Sequence, residues 1–123
     1  MSKKQRSSLK NPRKQAFKTQ HGVCYYCSQP MWTEAASELT DQYPISAKQA
    51  RWLQCTGEHL IAHKDGGSAK QENIVAACRH CNTKRHARDN EMPVEQYRRH
   101  VQKRMKKGAW HSVRPVLRQH SGK

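Results

Sequence analysis

The chain has 123 residues, enough for one compact domain and too few for two with separate cores; 34% of them are hydrophobic, so poor a core that a staple is needed, and five cysteines are there to make one. It has no apolar stretch near the ~18 residues of a membrane span, and MSKKQRSSLK has no apolar run after its charges, so neither a membrane segment nor a secretory signal is expected and the protein reads as cytoplasmic. A net charge of +15 points away from cationic partners and toward a polyanion.

Residues 1–12 are polar and basic and read as a disordered N-terminal arm, with Pro12 marking the point where structure begins. RKQAFKTQ, residues 13–20, predicts a short helix. HGVCYYCSQPMW follows, and Gly22 before the cysteines with Pro30 after them predicts a tight turn carrying Cys24 and Cys27 between two short extended segments. Residues 33–50 are mixed and polar, interrupted by Pro44, and predict one or two short helices with Ser46 as an N-cap. EHLIA predicts a strand, HKDGGSAKQE a loop reversing at Gly66 and Gly67, and NIVAAC the second strand of a hairpin. From Asn82, a natural N-cap, the pattern turns helical until Pro93. Pro93 opens a further helix in which Val94, Tyr97, Val101 and Met105 recur as one apolar stripe. Gly108 ends that helix, so the main domain is expected over residues 13–108 and a basic tail over 109–123.

CYYC at 24–27 and CRHC at 78–81 each have the spacing that lets a turn present two thiolates to one tetrahedral ion. Disulfides are disfavoured by compartment and by the closeness of each pair. A structural Zn²⁺ held by Cys24, Cys27, Cys78 and Cys81 is therefore expected. Cys55 reads as a small buried hydrophobe, and His80, inside a knuckle whose thiols already fill four positions, as a phosphate contact.

The charge is unevenly placed. Residues 1–18 carry seven positive charges and residues 96–123 carry nine, with no acid in either, whereas residues 19–95 hold eight positive charges and all nine acids. One-signed arms around a near-neutral centre repel themselves unless they meet a polyanion, and phosphates release counterions when Lys and Arg neutralise them. Nucleic acid is the expected partner, with no membrane role because large apolar anchors are scarce beside the charges. Lys84, Arg85, Arg88 and His86, with Arg98, Arg99 and Lys103 on the last helix, are candidate phosphate contacts.

Between the two knuckles lies a set of residues that packing alone does not require. Glu58 and His59 offer a metal ligand and a general base, and Asn73 and Asn82 can orient or coordinate. Adjacent residues on a strand point to opposite faces, so Glu58 and His59 reach one site only if hairpin and helix close over it.

Glu58 with His59, Gly66 with Gly67, Asn73 with Ile74, and the Cys78, Cys81, Asn82 run resemble the HNH endonuclease family, in the form whose ββα-metal core is held by a four-cysteine zinc. The resemblance covers roughly residues 22–86. It implies an α+β fold, a small zinc-stabilised ββα-metal core with flanking helices and basic arms, and cleavage of phosphodiester bonds in DNA, RNA being the lesser candidate. In that family's terms His59 is the base that activates water, Glu58 and Asn82 hold one Mg²⁺ or Mn²⁺, and Asn73 braces the loop and the base; oxygen ligands suit such hard ions. Family patterns do not fix His63, four residues after His59, which reads as a polar loop contact or as a further metal ligand. Glu58 stands where aspartate is frequent, Ala62 where proline often follows, and Asn82 where some members have histidine. The alternative, a non-catalytic zinc-knuckle nucleic-acid-binding module, leaves Glu58, His59, Asn73 and Asn82 unexplained. The sequence sets no oligomeric state.

Overall fold

The computed structural model describes residues 2–60, 73–87 and 92–111, with side chains from Asn11 onward. Its elements are α1 (Ser2–Thr19), α2 (Ser37–Thr40), α3 (Ala47–Arg51), β1 (Cys55–His59), β2 (Ile74–Cys78), α4 (Arg79–His86) and α5 (Val94–Lys106). This is the expected α+β class. The two strands pair antiparallel, with Cys55 opposite Cys78 and His59 opposite Ile74, and α4 follows β2 directly, giving the ββα unit.

The sheet is covered on both faces. Thr56 and Glu58 bond to side chains of α4, whereas a Cβ added at Gly57 would lie 3.7 Å from Cβ of Arg13 on α1. Even-numbered β1 residues thus face α4 and odd-numbered ones face α1, as a pleated strand requires. Just beyond α1, Gln20 grips the free edge of β2: its amide nitrogen donates to the Ala76 carbonyl at 2.8 Å and its oxygen accepts from the Ala76 N–H at 2.9 Å. Gly22, at φ +77°, then turns the chain into the first knuckle, and a Cβ there would sit 3.3 Å from the Phe17 ring.

Helix α1 begins well before the position expected for it. The arm read as disordered over residues 1–12 is helical from Ser2, and the boundary expected at residue 13 falls inside the helix. Pro12 lies in the interior rather than at the first turn; its ring cannot donate to the carbonyl four residues earlier, so one helical bond is missing while the Lys-, Arg- and Gln-rich flanks remain good helix formers. β1 also starts earlier than EHLIA suggested, because Cys55 N–H bonds to the Trp32 carbonyl at 2.8 Å and draws residues 55–57 into the ladder. The Ser46 cap formed as expected, as a full capping box with Gln49.

The core gathers around the cysteines. Tyr26, Leu53, Tyr97 and Val101 are fully buried there, and the rings of Tyr26 and Tyr97 meet edge to face at 4.8 Å. Tyr97 and Val101 belong to the predicted stripe of α5, which docks that helix on the knuckles. No helix among the described residues is long and apolar enough to cross a membrane.

Candidate functional site

Four thiols from two segments far apart in the chain meet in the core. The Sγ atoms of Cys24, Cys27, Cys78 and Cys81 all lie within 4.8 Å of one another, and all four residues are buried. Cys27 Sγ and Cys78 Sγ are 3.8 Å apart. A tetrahedral zinc with bonds of about 2.3 Å puts its sulfurs about 3.8 Å apart, so the cluster fits that ion. The backbone is arranged for thiolates: N–H groups of Tyr26 and Cys78 point at Cys24 Sγ from 3.3 and 3.2 Å. Burial works against ionising Cys24, but hydrogen bonds from Cys27, Cys78 and Cys81 hold its pKa well below the ordinary thiol value, while Cys27 and Cys81 are pushed up. Cys55 stands outside the cluster, buried, its thiol pushed up to about 12 by desolvation.

The second knuckle also starts α4, and this displaces Asn82 from the N-cap expected for it. Cys78 is the cap, with its sulfur accepting from Cys81 N–H, so the helix begins at Arg79 and Asn82 falls in its first turn. Its side chain reaches β1 instead, with Nδ2 3.0 Å from Thr56 Oγ1 and 3.3 Å from the Gly57 carbonyl. Thr56 already gives its hydroxyl proton to the Ala77 carbonyl at 2.6 Å, so both neighbours of the amide are acceptors. That fixes the nitrogen toward β1 and leaves the amide oxygen turned away from it.

One turn further along α4, Arg85 and His86 close on Glu58. Glu58 is 2% exposed. Arg85 Nη1 donates to its Oε2 at 2.8 Å and Tyr26 OH to the same oxygen at 3.0 Å, while His86 Nε2 lies 2.9 Å from Oε1. Burial alone would raise the Glu58 pKa, but the hydrogen bond and charge of His86, and then of Arg85, bring it below the usual carboxylate value. Asn82 and His86 are four residues apart and share the face of α4 toward β1. His86, expected at a phosphate, is thus part of the carboxylate cluster.

Arg85 requires a correction. It was expected on the nucleic-acid face, but it is 6% exposed and spent on Glu58 and on the Met92 carbonyl, 3.1 Å from Nη2, because the burial of a carboxylate demands a cation beside it. Arg98 is half-buried, stacked 4.3 Å over the Tyr25 ring. Lys84, Arg99 and Lys103 are exposed. His59 closes β1 opposite Ile74, half-buried and, by the pleat, on the face opposite Glu58. Asn73 is buried at the start of β2, and its carbonyl accepts from Leu60 N–H at 2.8 Å, holding the mouth of the hairpin. His63 and Arg88 lie outside the described residues.

Sequence reasoning missed the segment after α5. At the start of the stretch expected as a basic tail, Trp110 Nε1 donates to Cys81 Sγ at 3.2 Å, and His111 Nε2 lies 3.2 Å from Cys27 Sγ and 3.8 Å from Cys78 Sγ. Their rings pack on His80, at 5.2 and 4.5 Å between centroids, so His80 is part of this covering layer rather than a plain surface contact. The signal was a tryptophan and a histidine just past a helix-ending glycine. Replacing Trp110 by phenylalanine keeps the ring and removes the N–H; zinc release to a chromogenic chelator is expected to quicken about tenfold, at unchanged zinc content.

Residues 24–88, more than half of the chain, match the family profile described as HNH endonuclease. The match spans both knuckles, the hairpin and α4, which are the segments that carry the resemblance seen in the sequence. No curated protein and no solved structure matches.

Proposed function

The chain belongs to the HNH endonuclease family, and from that premise we propose that it is a metal-dependent endonuclease that hydrolyses phosphodiester bonds in DNA in the cytoplasm. The observation that carries this reading is the convergence of Glu58, Asn82 and His86 at one end of a zinc-fixed ββα unit, with His59 adjacent in the chain. A divalent cation such as Mg²⁺ or Mn²⁺, when bound there, supplies charge stabilisation at the phosphate and at the leaving 3′ oxygen.

Each residue then has a task set by its contacts. Glu58 offers Oε1, the oxygen on the His86 side; Asn82 offers the amide oxygen freed by its bonds to Thr56 and Gly57; His86 closes the set from α4. His59 takes the proton of the attacking water. Because Glu58 and His59 leave β1 on opposite faces, the scissile phosphate is proposed to lie across the end of the strand, within reach of both. Asn73 fixes the hairpin mouth behind them. Lys84, Arg99 and Lys103, with the likewise exposed Lys14, Lys18, Arg104 and Lys106, supply a grip on phosphates that is independent of sequence.

A second reading, a nucleic-acid-binding module without turnover, draws on one observation: Glu58 already has three partners. Supercoiled plasmid incubated with the zinc-loaded protein separates the two. Nicked or linear product is expected with Mg²⁺ or Mn²⁺ and none with EDTA; intact plasmid in every metal, with binding retained in a mobility-shift assay, would select the second reading.

A further inference from the structure

The two oxygens of Glu58 are treated differently, and the difference is traceable to the zinc ligands. Oε2 faces inward and accepts from Tyr26 OH and Arg85 Nη1; Oε1 faces His86, whose side chain is 43% exposed. Tyr26 lies between Cys24 and Cys27, and Arg85 lies one turn beyond Cys81 on α4. Each inner donor is therefore carried by a segment that the cysteine cluster fixes. Each is also pinned elsewhere, Tyr26 by its edge-to-face contact with Tyr97 and Arg85 by its second bond, to the Met92 carbonyl.

Stability does not account for this arrangement. Taking a carboxylate and a guanidinium out of water costs about as much as their attraction returns, and well-packed apolar residues at such sites hold a fold as firmly or more so. What the pair does supply is direction. A carboxylate gripped on one oxygen by a planar cation and a phenol cannot rotate, and it presents its other oxygen at a fixed point.

Resting on the cation site proposed above, we infer that Tyr26 and Arg85 are positioning residues: they occupy Oε2 of Glu58, leave Oε1 as the single oxygen offered to the divalent cation, and so make the zinc scaffold set the place of the cation site. The zinc knuckles on this account do more than hold the fold. They aim a ligand of the second metal.

The test is a titration of the zinc-loaded, full-length protein with Mn²⁺, read by the electron paramagnetic resonance signal of the free ion. Wild-type protein is expected to bind one Mn²⁺ beyond its zinc, and Glu58→Gln is expected to lose it. Tyr26→Phe keeps the buried ring and removes one hydrogen bond; its Mn²⁺ affinity is expected to fall about tenfold, with zinc content and thermal transition measured on the same samples unchanged. Arg85→Lys keeps the charge but cannot span Oε2 and the Met92 carbonyl together, and a similar fall is expected. Wild-type Mn²⁺ affinity in a folded, zinc-replete Tyr26→Phe protein would overturn the role of Tyr26, and the same result in Arg85→Lys would show that charge alone suffices there. Wild-type protein that binds no Mn²⁺ would overturn the cation site itself, a failure distinct from equal binding by wild type and variants.

Discussion

Stripping zinc from the protein, or replacing Cys78 by serine, is expected to abolish the folded state and not merely to lower its stability. The four thiols sit at the centre of the core, and the elements around them lean on that centre: Cys78 caps α4, Tyr97 OH of α5 bonds to the Cys81 carbonyl at 2.6 Å, and Tyr26 of the first knuckle fills the space between. Structural zinc binding contributes about 10–16 kcal/mol, whereas a domain of this kind has a net stability of about 5–15 kcal/mol. The metal contribution is as large as the whole margin. Acid is expected to act in the same direction, because the ligands are thiolates and protons compete with the ion. Far-ultraviolet circular dichroism across a chelator titration checks this, with Cys55→Ala as a control: outside the cluster, that change should cost only on the order of 1 kcal/mol. A cooperative thermal transition that survives complete zinc removal would show that the cysteines are not the staple.

How much of this was legible in the sequence depended on whether the information was local. The paired cysteines were legible because their spacing is itself the geometric requirement, and so was the α5 stripe, because Val94, Tyr97, Val101 and Met105 repeat with the period of a helix. The Ser46 cap needed only its neighbour Gln49. Asn82 failed as a cap because a better one lay four residues earlier: the Cys78 sulfur, oriented within the cluster, accepts from Cys81 N–H and starts the helix there. Propensity ranks asparagine well at such a position but says nothing of a thiol already held in place.

The misplacement of Arg85 has the same origin. In the sequence it is one basic residue in a run from Lys84 to Arg88, and nothing local separates it from its neighbours. On α4, however, it falls one turn from Cys81 and therefore on the buried face, opposite a carboxylate that needs a cation. Lys84, one step around the helix, is exposed. Helical phase relative to a fixed zinc ligand would have made that distinction, and it also places Asn82 and His86 together toward β1. The covering of the cluster by Trp110 and His111 had no such handle, since it depends on how α5 crosses the knuckles.

Replacing His59 by alanine is expected to slow cleavage by about 10²–10⁴-fold, which at 1.36 kcal/mol per decade is roughly 3–5 kcal/mol of transition-state stabilisation. Zinc content, thermal transition, Mn²⁺ affinity and retention of DNA in a mobility shift are expected to stay near wild type. The separation follows from position. His59 ends β1, half-buried, outside the cysteine cluster and on the face opposite Glu58, so its removal leaves the backbone pairing with Ile74 and the Glu58, Asn82 and His86 contacts in place. Glu58 offers no such clean test: truncating it strands Arg85 without its buried partner, a change that alone costs about 3–5 kcal/mol of stability. A His59→Ala protein that cleaves at the wild-type rate would take the proton-accepting role away from this residue; one that is inactive but has lost zinc would point to a scaffold function for it. Loss of turnover with every other property kept is the pattern that a base acting at the His59–Ile74 end of a zinc-anchored hairpin requires.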